Sequence, residues 1–288
     1  MSENRIIDLH VHTSFSDGTD TPSATVLKAS NCGLAAIAIT DHDTVAGVKE
    51  GVEQGIKSGV EVIPGVELSA VTGGKSIHIL GYGLDVETSG LLKSLGEIQA
   101  ARNKRNQDII DKLKNMGIEV SMDELRIYSG EGQTGRPHFA RLLHQKNITR
   151  NPEEAFRHYL GKEGSAYVPR KILSAGEAIS IIQRAGGLAV LAHPLTIDTD
   201  RDGLTQLIDE LKNFGLAGLE VYYPTHNRET QDRLIKLCRK FHLIITGGSD
   251  FHGKNKPNIR MGRVSRNQTI PYKILSNLQW ELRSRSIS

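Results

Sequence analysis

Apolar residues in this chain fall in short, nearly continuous blocks separated by longer amphipathic stretches. Seven blocks read as strands: RIIDLHV (5–11), LAAIAIT (34–40), VEVIPGVE (60–67), SIHILGY (76–82), GLAVLAH (187–193), LAGLEVYY (216–223) and HLIITGG (242–248). Most are continuous runs, as expected for strands covered on both faces. Helical signals lie between many of them. Thr21-Pro22 puts proline at the first position of one helix. Ser174 and Glu177 form a capping box ahead of another, which Gly186 stops. THNRETQDRLIKLCRKF is amphipathic and leads into the last strand. Alternation of this kind predicts a parallel α/β architecture.

One stretch breaks the rhythm. Residues 98–168 carry no strong strand signal and read as helices near 91–116, 137–146 and 152–161. The expectation is a helical insertion after the fourth strand, with 1–97 and 169–288 forming the α/β unit.

Length and composition narrow the class without deciding it. A chain of 288 residues can bury a large core. No apolar run approaches the ~20 residues of a membrane span. MSENRIIDLH has no leader pattern, so a cytoplasmic location is expected. Two cysteines, Cys32 and Cys238, form no disulfide framework and read as packing residues in helical segments. Net charge is only +3, but residues 98–171 hold 14 Lys and Arg against 9 Asp and Glu. The basic part is the middle of the chain.

Chemistry enters at the strand ends. The first strand ends in His10-Val11-His12, the second in Thr40-Asp41-His42 and the third in Gly65-Val66-Glu67. The fourth carries His78, the fifth ends in Ala192-His193-Pro194, and the seventh is followed by Ser249-Asp250-Phe251-His252. In a closed parallel barrel such ends meet on one face. Residues i and i+2 of a strand point the same way, so His10 and His12 can turn toward one ion. Six of the 11 histidines sit at such points. Burying so many polar groups without a cation would be costly.

These residues, in this order, resemble the PHP family, the polymerase and histidinol phosphatase superfamily. Its signatures appear as DLHVHTSFSDG, AITDHDT, IPGVELSA, IHILGY, AHP and GSDFH. The resemblance implies a distorted (β/α)7 TIM-like barrel with two or three divalent metals at its mouth. It makes His10, His12, Glu67 and Asp250 ligands of one ion. Glu67 would bridge to a second ion held by His78 and His193, and Asp17, His42 and His252 would hold a third. GRPHFARLL (135–143) and EVYYPTH (220–226) are similar to the TrpH-type subgroup with a helical insert. There Arg136 and His138 would sit near a substrate phosphate, with His226 on another loop over the metals.

Imidazole and carboxylate ligands without thiolate suit manganese, iron(II) or zinc, and magnesium less well; manganese is the metal expected first. Two ions ~3.5–4 Å apart can share a hydroxide and clamp a phosphoryl oxygen. The expected reaction is hydrolysis of the 3′-phosphate of a 3′,5′-nucleoside bisphosphate. His226 and His252 are candidate acids for the leaving oxygen, and Arg170 and Lys171 candidates for a second phosphate. The alternatives are a 5′–3′ exoribonuclease on short RNA, a histidinol-phosphate phosphatase and a non-catalytic polymerase-associated module. The expected partner is a nucleotide or short RNA, with no membrane, no duplex nucleic acid and no obligate protein. Asp8, alternating with His10, fits either a partner behind a ligand or a buried structural acid. Tyr222 and Tyr223 can stack a base, though core packing suits one of them. His144, His158 and His242 are expected to take no part.

Overall fold

The computed structural model describes residues 5–129, 132–169, 172–197 and 199–286. In chain order these form β1 (Ile6–Val11), α1 (Pro22–Asn31), β2 (Leu34–Ile39), α2 (Val48–Ser58), β3 (Glu61–Thr72), β4 (Lys75–Tyr82), α3 (Ser89–Asn115), α4 (Met122–Ser129), α5 (Arg136–Gln145) and α6 (Pro152–Ala155). A π-helical turn at Phe156–Leu160 follows. Then come β5 (Leu173–Ser174), α7 (Ala175–Arg184), β6 (Leu188–Leu191), α8 (Arg201–Asn213), β7 (Gly218–Tyr222), α9 (Arg228–Phe241), β8 (Ile244–Gly247), β9 (Arg263–Ser265), β10 (Gln268–Pro271) and α10 (Lys273–Ser286). All seven apolar blocks are strands.

The helices start where local chemistry satisfies their free N–H groups. Thr21 accepts from Ala24 N–H with Pro22 at the first position of α1. Ser174 and Glu177 complete the capping box of α7, and Asn227 caps α9.

The strands form one sheet in the order β8-β7-β6-β4-β3-β2-β1-β10-β9, with β5 beside β3. The sheet is mixed, not parallel throughout. β4 runs antiparallel to both β3 and β6. The cause is the two-residue turn Gly73-Gly74, with φ of 53° and 75°. So short a link can join only antiparallel neighbours, and its left-handed backbone suits glycine. β3 also continues to Thr72, past the expected end at Glu67. The sheet curls until the segment after β8 lies against β1, where Asp250 N–H donates to His10 O and His12 N–H to Phe251 O, both at 2.9 Å.

Alternate residues of the same strands feed two apolar clusters. β2 gives Ile37 and Ile39 to one, Ala36 and Ala38 to the other. Burial on both faces explains the continuous apolar runs. A third cluster, including Ile109, Leu113, Phe139, Leu143 and Leu160, draws only on residues 109–168. Of the two cysteines, Cys238 packs as expected, but Cys32 is exposed just past the end of α1, because the helix stops before it can turn inward. Among the described residues no helix is long and apolar enough to cross a membrane.

Candidate metal centre

β1 ends in His10-Val11, and its two-residue period turns His10 and His12 the same way, with their Nε2 atoms 3.1 Å apart. β3 carries Glu67. β4 sets His78 opposite Ser69, so Glu67, Ser69 and His78 share one face. The antiparallel turn-back thus brings the beginning of β4, not its end, to the mouth. His42 follows β2, His193 follows β6, Asp250 and His252 follow β8, and Asp17 lies in the loop after β1.

Glu67 is the hub. Its Oε2 lies 3.2 Å from His10 Nε2, 3.1 Å from His12 Nε2 and 3.3 Å from His42 Nδ1. Its Oε1 lies 2.9 Å from His78 Nδ1 and 3.0 Å from His193 Nε2. Asp250 Oδ1 stands 3.6 Å from His10 Nε2 and 3.4 Å from His12 Nε2. Asp17 reaches His252 Nε2 at 3.1 Å and His42 Nε2 at 3.9 Å. The structure therefore gathers into one cluster every residue that the sequence offers as a ligand. Three subsets bring their ligand atoms within 4.8 Å of one another: His12, Asp17, His42 and His252; His10, His12 and Glu67; His42, Glu67 and His78.

The donor set fits divalent cations better than it fits itself. His252 Nδ1 lies 2.8 Å from its acceptor, the Asp250 carbonyl, so a neutral ring turns a bare Nε2 toward the Asp17 carboxylate. Two acceptors facing each other call for a proton or a metal between them. The buried His42 Nδ1 makes no hydrogen bond among the described residues, its 3.3 Å approach to Glu67 Oε2 lacking hydrogen-bond geometry. Nitrogen and oxygen donors without thiolate suit hard or borderline divalent ions.

The electrostatics say the same. Burial alone would raise the Glu67 carboxyl, but His42, His10 and His78 hold it well below the usual carboxylate range. Burial pushes His42 down to about 3. Burial also works against a charged His12, yet hydrogen bonds to Asp250 and Glu67 raise it to about 9. The carboxylates draw positive charge, and without cations the imidazoles must supply it.

Three further buried acids hold the cluster in place. Asp41 takes Thr13 N–H at 2.7 Å and the Thr13 and Ser16 hydroxyls at 2.6 Å, which ties the Asp17 loop to the His42 loop. Asp8 takes Ser249 N–H, the Ser249 hydroxyl and Gly262 N–H at 2.8, 2.5 and 2.7 Å, which ties β1 to the segment bearing Asp250. It does not reach the His10 ring, so its structural reading prevails. Glu220 on β7 contacts His10 Nδ1 at 2.9 Å and His193 N–H at 2.7 Å.

A cleft of about 180 Å³ opens between the cluster and α5. Asp17, His42 and His78 line it on one side; Arg102, Gln133 and His138 face them. His138 Nδ1 accepts from Gly135 N–H at 2.9 Å, which leaves the ring proton on Nε2. Arg136 turns elsewhere: its guanidinium donates to Leu160 O at 3.2 Å and lies over the Tyr167 ring. Arg170 and Lys171 fall outside the described residues. His226 is buried behind Tyr223, with ring centroids 5.3 Å apart, and its Nδ1 lies 2.9 Å from Val221 O. Tyr223 itself donates to Asp250 Oδ2 at 2.8 Å, so it is bound to the cluster rather than free to stack a base. His144, His158 and His242 lie outside the cluster.

The sequence signature of the PHP domain matches residues 8–159, more than half of the chain. The chain belongs to the PHP family. It is 35% identical over 245 residues to a 5′-3′ exoribonuclease of Haemophilus influenzae, covering 85% of this chain and 89% of that one. It is 34% identical to a phosphoribosyl 1,2-cyclic phosphate 1,2-diphosphodiesterase of Eggerthella lenta (86% and 95% covered). It is 32% identical to a 3′,5′-nucleoside bisphosphate phosphatase of Chromobacterium violaceum (90% and 91%). A solved structure from Bifidobacterium adolescentis, described as a candidate metal-dependent phosphoesterase, superposes with a TM-score of 0.81 at 29% identity over 97% of both chains. This PHP protein is a metal-dependent phosphoesterase.

Sequence reasoning missed Glu220 and Arg102 as parts of this PHP site, and placed Asp41 at the end of the second strand without giving it a role. A lone acid inside the apolar GLEVY run was the available signal for Glu220, since a buried carboxylate needs partners. Arg102 sits in the charged run RNKRN, where nothing marks one arginine above another.

Proposed function

We propose that this phosphoesterase removes the 3′-phosphate of 3′,5′-nucleoside bisphosphates. The observation that carries the reading is the cleft of about 180 Å³, with Asp17, His42 and His78 on one wall and Arg102 and His138 on the other. It sets metal-ligand candidates on one wall opposite a guanidinium and an imidazole on the other, as a terminal phosphate group requires. The likeness to the Chromobacterium violaceum bisphosphate phosphatase supports it. His10, His12, Glu67 and Asp250 would hold one ion; Glu67, His78 and His193 a second; Asp17, His42 and His252 a third. This nitrogen and oxygen set suits manganese, iron(II) or zinc, and manganese is the ion we propose first. When bound, such ions activate water and neutralise charge on the transferred phosphoryl group.

The remaining work falls to side chains. Arg102 offers a guanidinium to phosphate oxygens, and His138 a ring N–H. His252, with Nδ1 held by a carbonyl, serves as a ligand rather than an acid. His226 keeps its proton on Nδ1 toward Val221 O, and burial lowers its basicity, so it fits a positioning role better than proton donation. The curled sheet reads as a distorted (β/α)7 barrel, and residues 98–168, with their own apolar cluster, as an inserted cap.

One observation favours a second substrate. A groove of about 570 Å³ shares Gln133 with the cleft and runs past Asn103 and Gln107 to Arg126. It gives room for a chain longer than one nucleotide, as in a 5′–3′ exoribonuclease. Purified protein with manganese is tested for phosphate release from adenosine 3′,5′-bisphosphate and for mononucleotide release from a 5′-phosphorylated RNA oligomer. We expect phosphate and adenosine 5′-monophosphate from the first. Mononucleotides from the second alone would replace the leading reading, and inactivity on both would end it.

A further inference from the structure

β7 is apolar except at Glu220. Its neighbours Leu219 and Val221 are core residues, and Glu220 itself is 0% exposed. Taking a carboxylate out of water is costly unless both oxygens are paired. Here both are. Oε1 lies 2.9 Å from His10 Nδ1 and Oε2 takes the backbone N–H of His193 at 2.7 Å. The other buried acids behind the cluster differ. Asp8 and Asp41 hold backbone N–H groups and hydroxyls, and neither hydrogen-bonds an imidazole.

We infer that Glu220 is a positioning residue whose single carboxylate sets two metal ligands, His10 and His193, that belong to different ions. The inference rests on the reading of those histidines as ligands. Accepting the Nδ1 proton of His10 leaves Nε2 as a lone pair aimed at Glu67, His12 and Asp250, which is the form a metal requires. At His193 the need is different. Its backbone has φ 26° and ψ 61°, in the left-handed region, and Pro194 follows. Proline disfavours compact backbone at the residue before it, and a non-glycine residue at positive φ persists only where its surroundings fix it. The charge-assisted bond from His193 N–H to Glu220 is such a restraint.

Both protein groups are donors, and both must find acceptors. A carboxylate offers two. Glutamine offers one, and its amide N–H would meet either the His10 ring proton or His193 N–H. Glu220→Gln can therefore satisfy only one of the two at a time, so both ligands lose their restraint although the side chain keeps its shape. The two ion sites are thereby coupled through one residue.

The test uses zinc-loaded protein labelled with nitrogen-15 in its histidine rings, since zinc is diamagnetic. His10 is assigned by the signal lost in His10→Gln. We expect zinc on His10 Nε2 and a slowly exchanging proton on Nδ1. In Glu220→Gln that proton exchanges fast. Zinc affinity falls about 10–100-fold, the range for partners behind a ligand, at both the His10 and the His193 ions. His78→Ala serves as the contrast and weakens one ion only. Asp8→Asn lowers Tm and leaves the His10 ring signals in place. Zinc on His10 Nδ1, or Glu220→Gln with unchanged exchange and affinity, overturns the inference. If Glu220→Gln does not fold, the wild-type ring signals decide alone. Wild-type protein that binds no zinc, manganese or iron(II) overturns the metal assignment itself, and this inference with it.

Discussion

Glu67 faces five imidazoles with two oxygens, so its charge matters more than its shape. Glu67→Gln keeps the shape and removes the charge. We expect metal affinity to fall by more than the roughly 10–100-fold that partners behind a ligand contribute, with phosphate release at background. Metal analysis beside circular dichroism separates this from unfolding. His12 contributes to the pH dependence beside His10, where burial opposes the charged ring but Glu220, Glu67 and Asp250 raise it well above the usual imidazole range. Raised to about 9, His12 is protonated in metal-free protein at neutral pH, and an ion must displace that proton. Metal affinity should rise with pH through this range, by up to about tenfold per unit for each proton displaced. Stability of the metal-free form moves the opposite way. The His12 contribution is fully present below the unfolded value of about 6.5 and is lost as pH rises through about 9. Thermal melts with and without manganese from pH 6 to 9.5 check both signs, and a flat profile would sink the assignment. Legibility at this scale follows spacing. His10-Val11-His12 and Asp250-Phe251-His252 announce themselves by a two-residue period at strand ends. Glu220 and Asp41 act through partners far along the chain, such as His193, and no local pattern encodes that.

Among elements, the strands were readable because both their faces are buried, which forces uninterrupted apolar runs such as LAAIAI. Direction was less readable. Parallel and antiparallel strands buried on both faces look alike, and only the turn Gly73-Gly74 distinguished β4. β9 and β10 are short and pair at the edge next to β1, so RVS and QTIP lack a core pattern. The docking of α3 on the mouth is likewise a pairing that sequence conceals. Arg102 on α3 pairs with Asp43 after β2, their side chains 11% and 0% exposed. Gln99 and Gln133 donate to Asp43 O, both at 3.0 Å. Asp43 also accepts Ser69 N–H at 3.1 Å, one strand position from Leu68 and two from Glu67. Arg102→Ala leaves a buried carboxylate short of its cation, which costs about 3 kcal/mol. Urea unfolding of metal-free protein should show that loss. Metal content should stay at the wild-type level, because Arg102 contacts no ligand of the cluster.

On the scale of the whole molecule, the apolar pattern assigns residues 98–168 to helices, and the separate cluster at Ile109, Leu113 and Phe139 fits their reading as a cap. How these residues face the cluster depends on Arg102, Gln133 and His138 standing across the cleft from Asp17, His42 and His78, a relation between segments that no periodicity carries. What the sequence does state at this scale is charge. Residues 98–171 carry 14 basic against 9 acidic side chains in a protein of net charge +3, so the excess belongs to this stretch rather than to the chain as a whole. A field of that sign raises the encounter rate of a polyanion and acts little on the chemical step. It also weakens with salt, as the screening length shrinks from about 10 Å at 0.1 M to about 3 Å at 1 M. We therefore expect kcat/KM for a nucleoside bisphosphate to fall several-fold between 0.05 and 0.5 M sodium chloride, with kcat nearly constant. Lys114, Arg157 and Lys162 are exposed and do not line the cleft. Reversing all three to Glu should lower kcat/KM at low salt and flatten the salt dependence, while Tm and metal content hold. A slope unchanged by the reversal would mean that the charge of the insertion takes no part in capture, and that Arg102 and the metal ions alone draw the phosphate in.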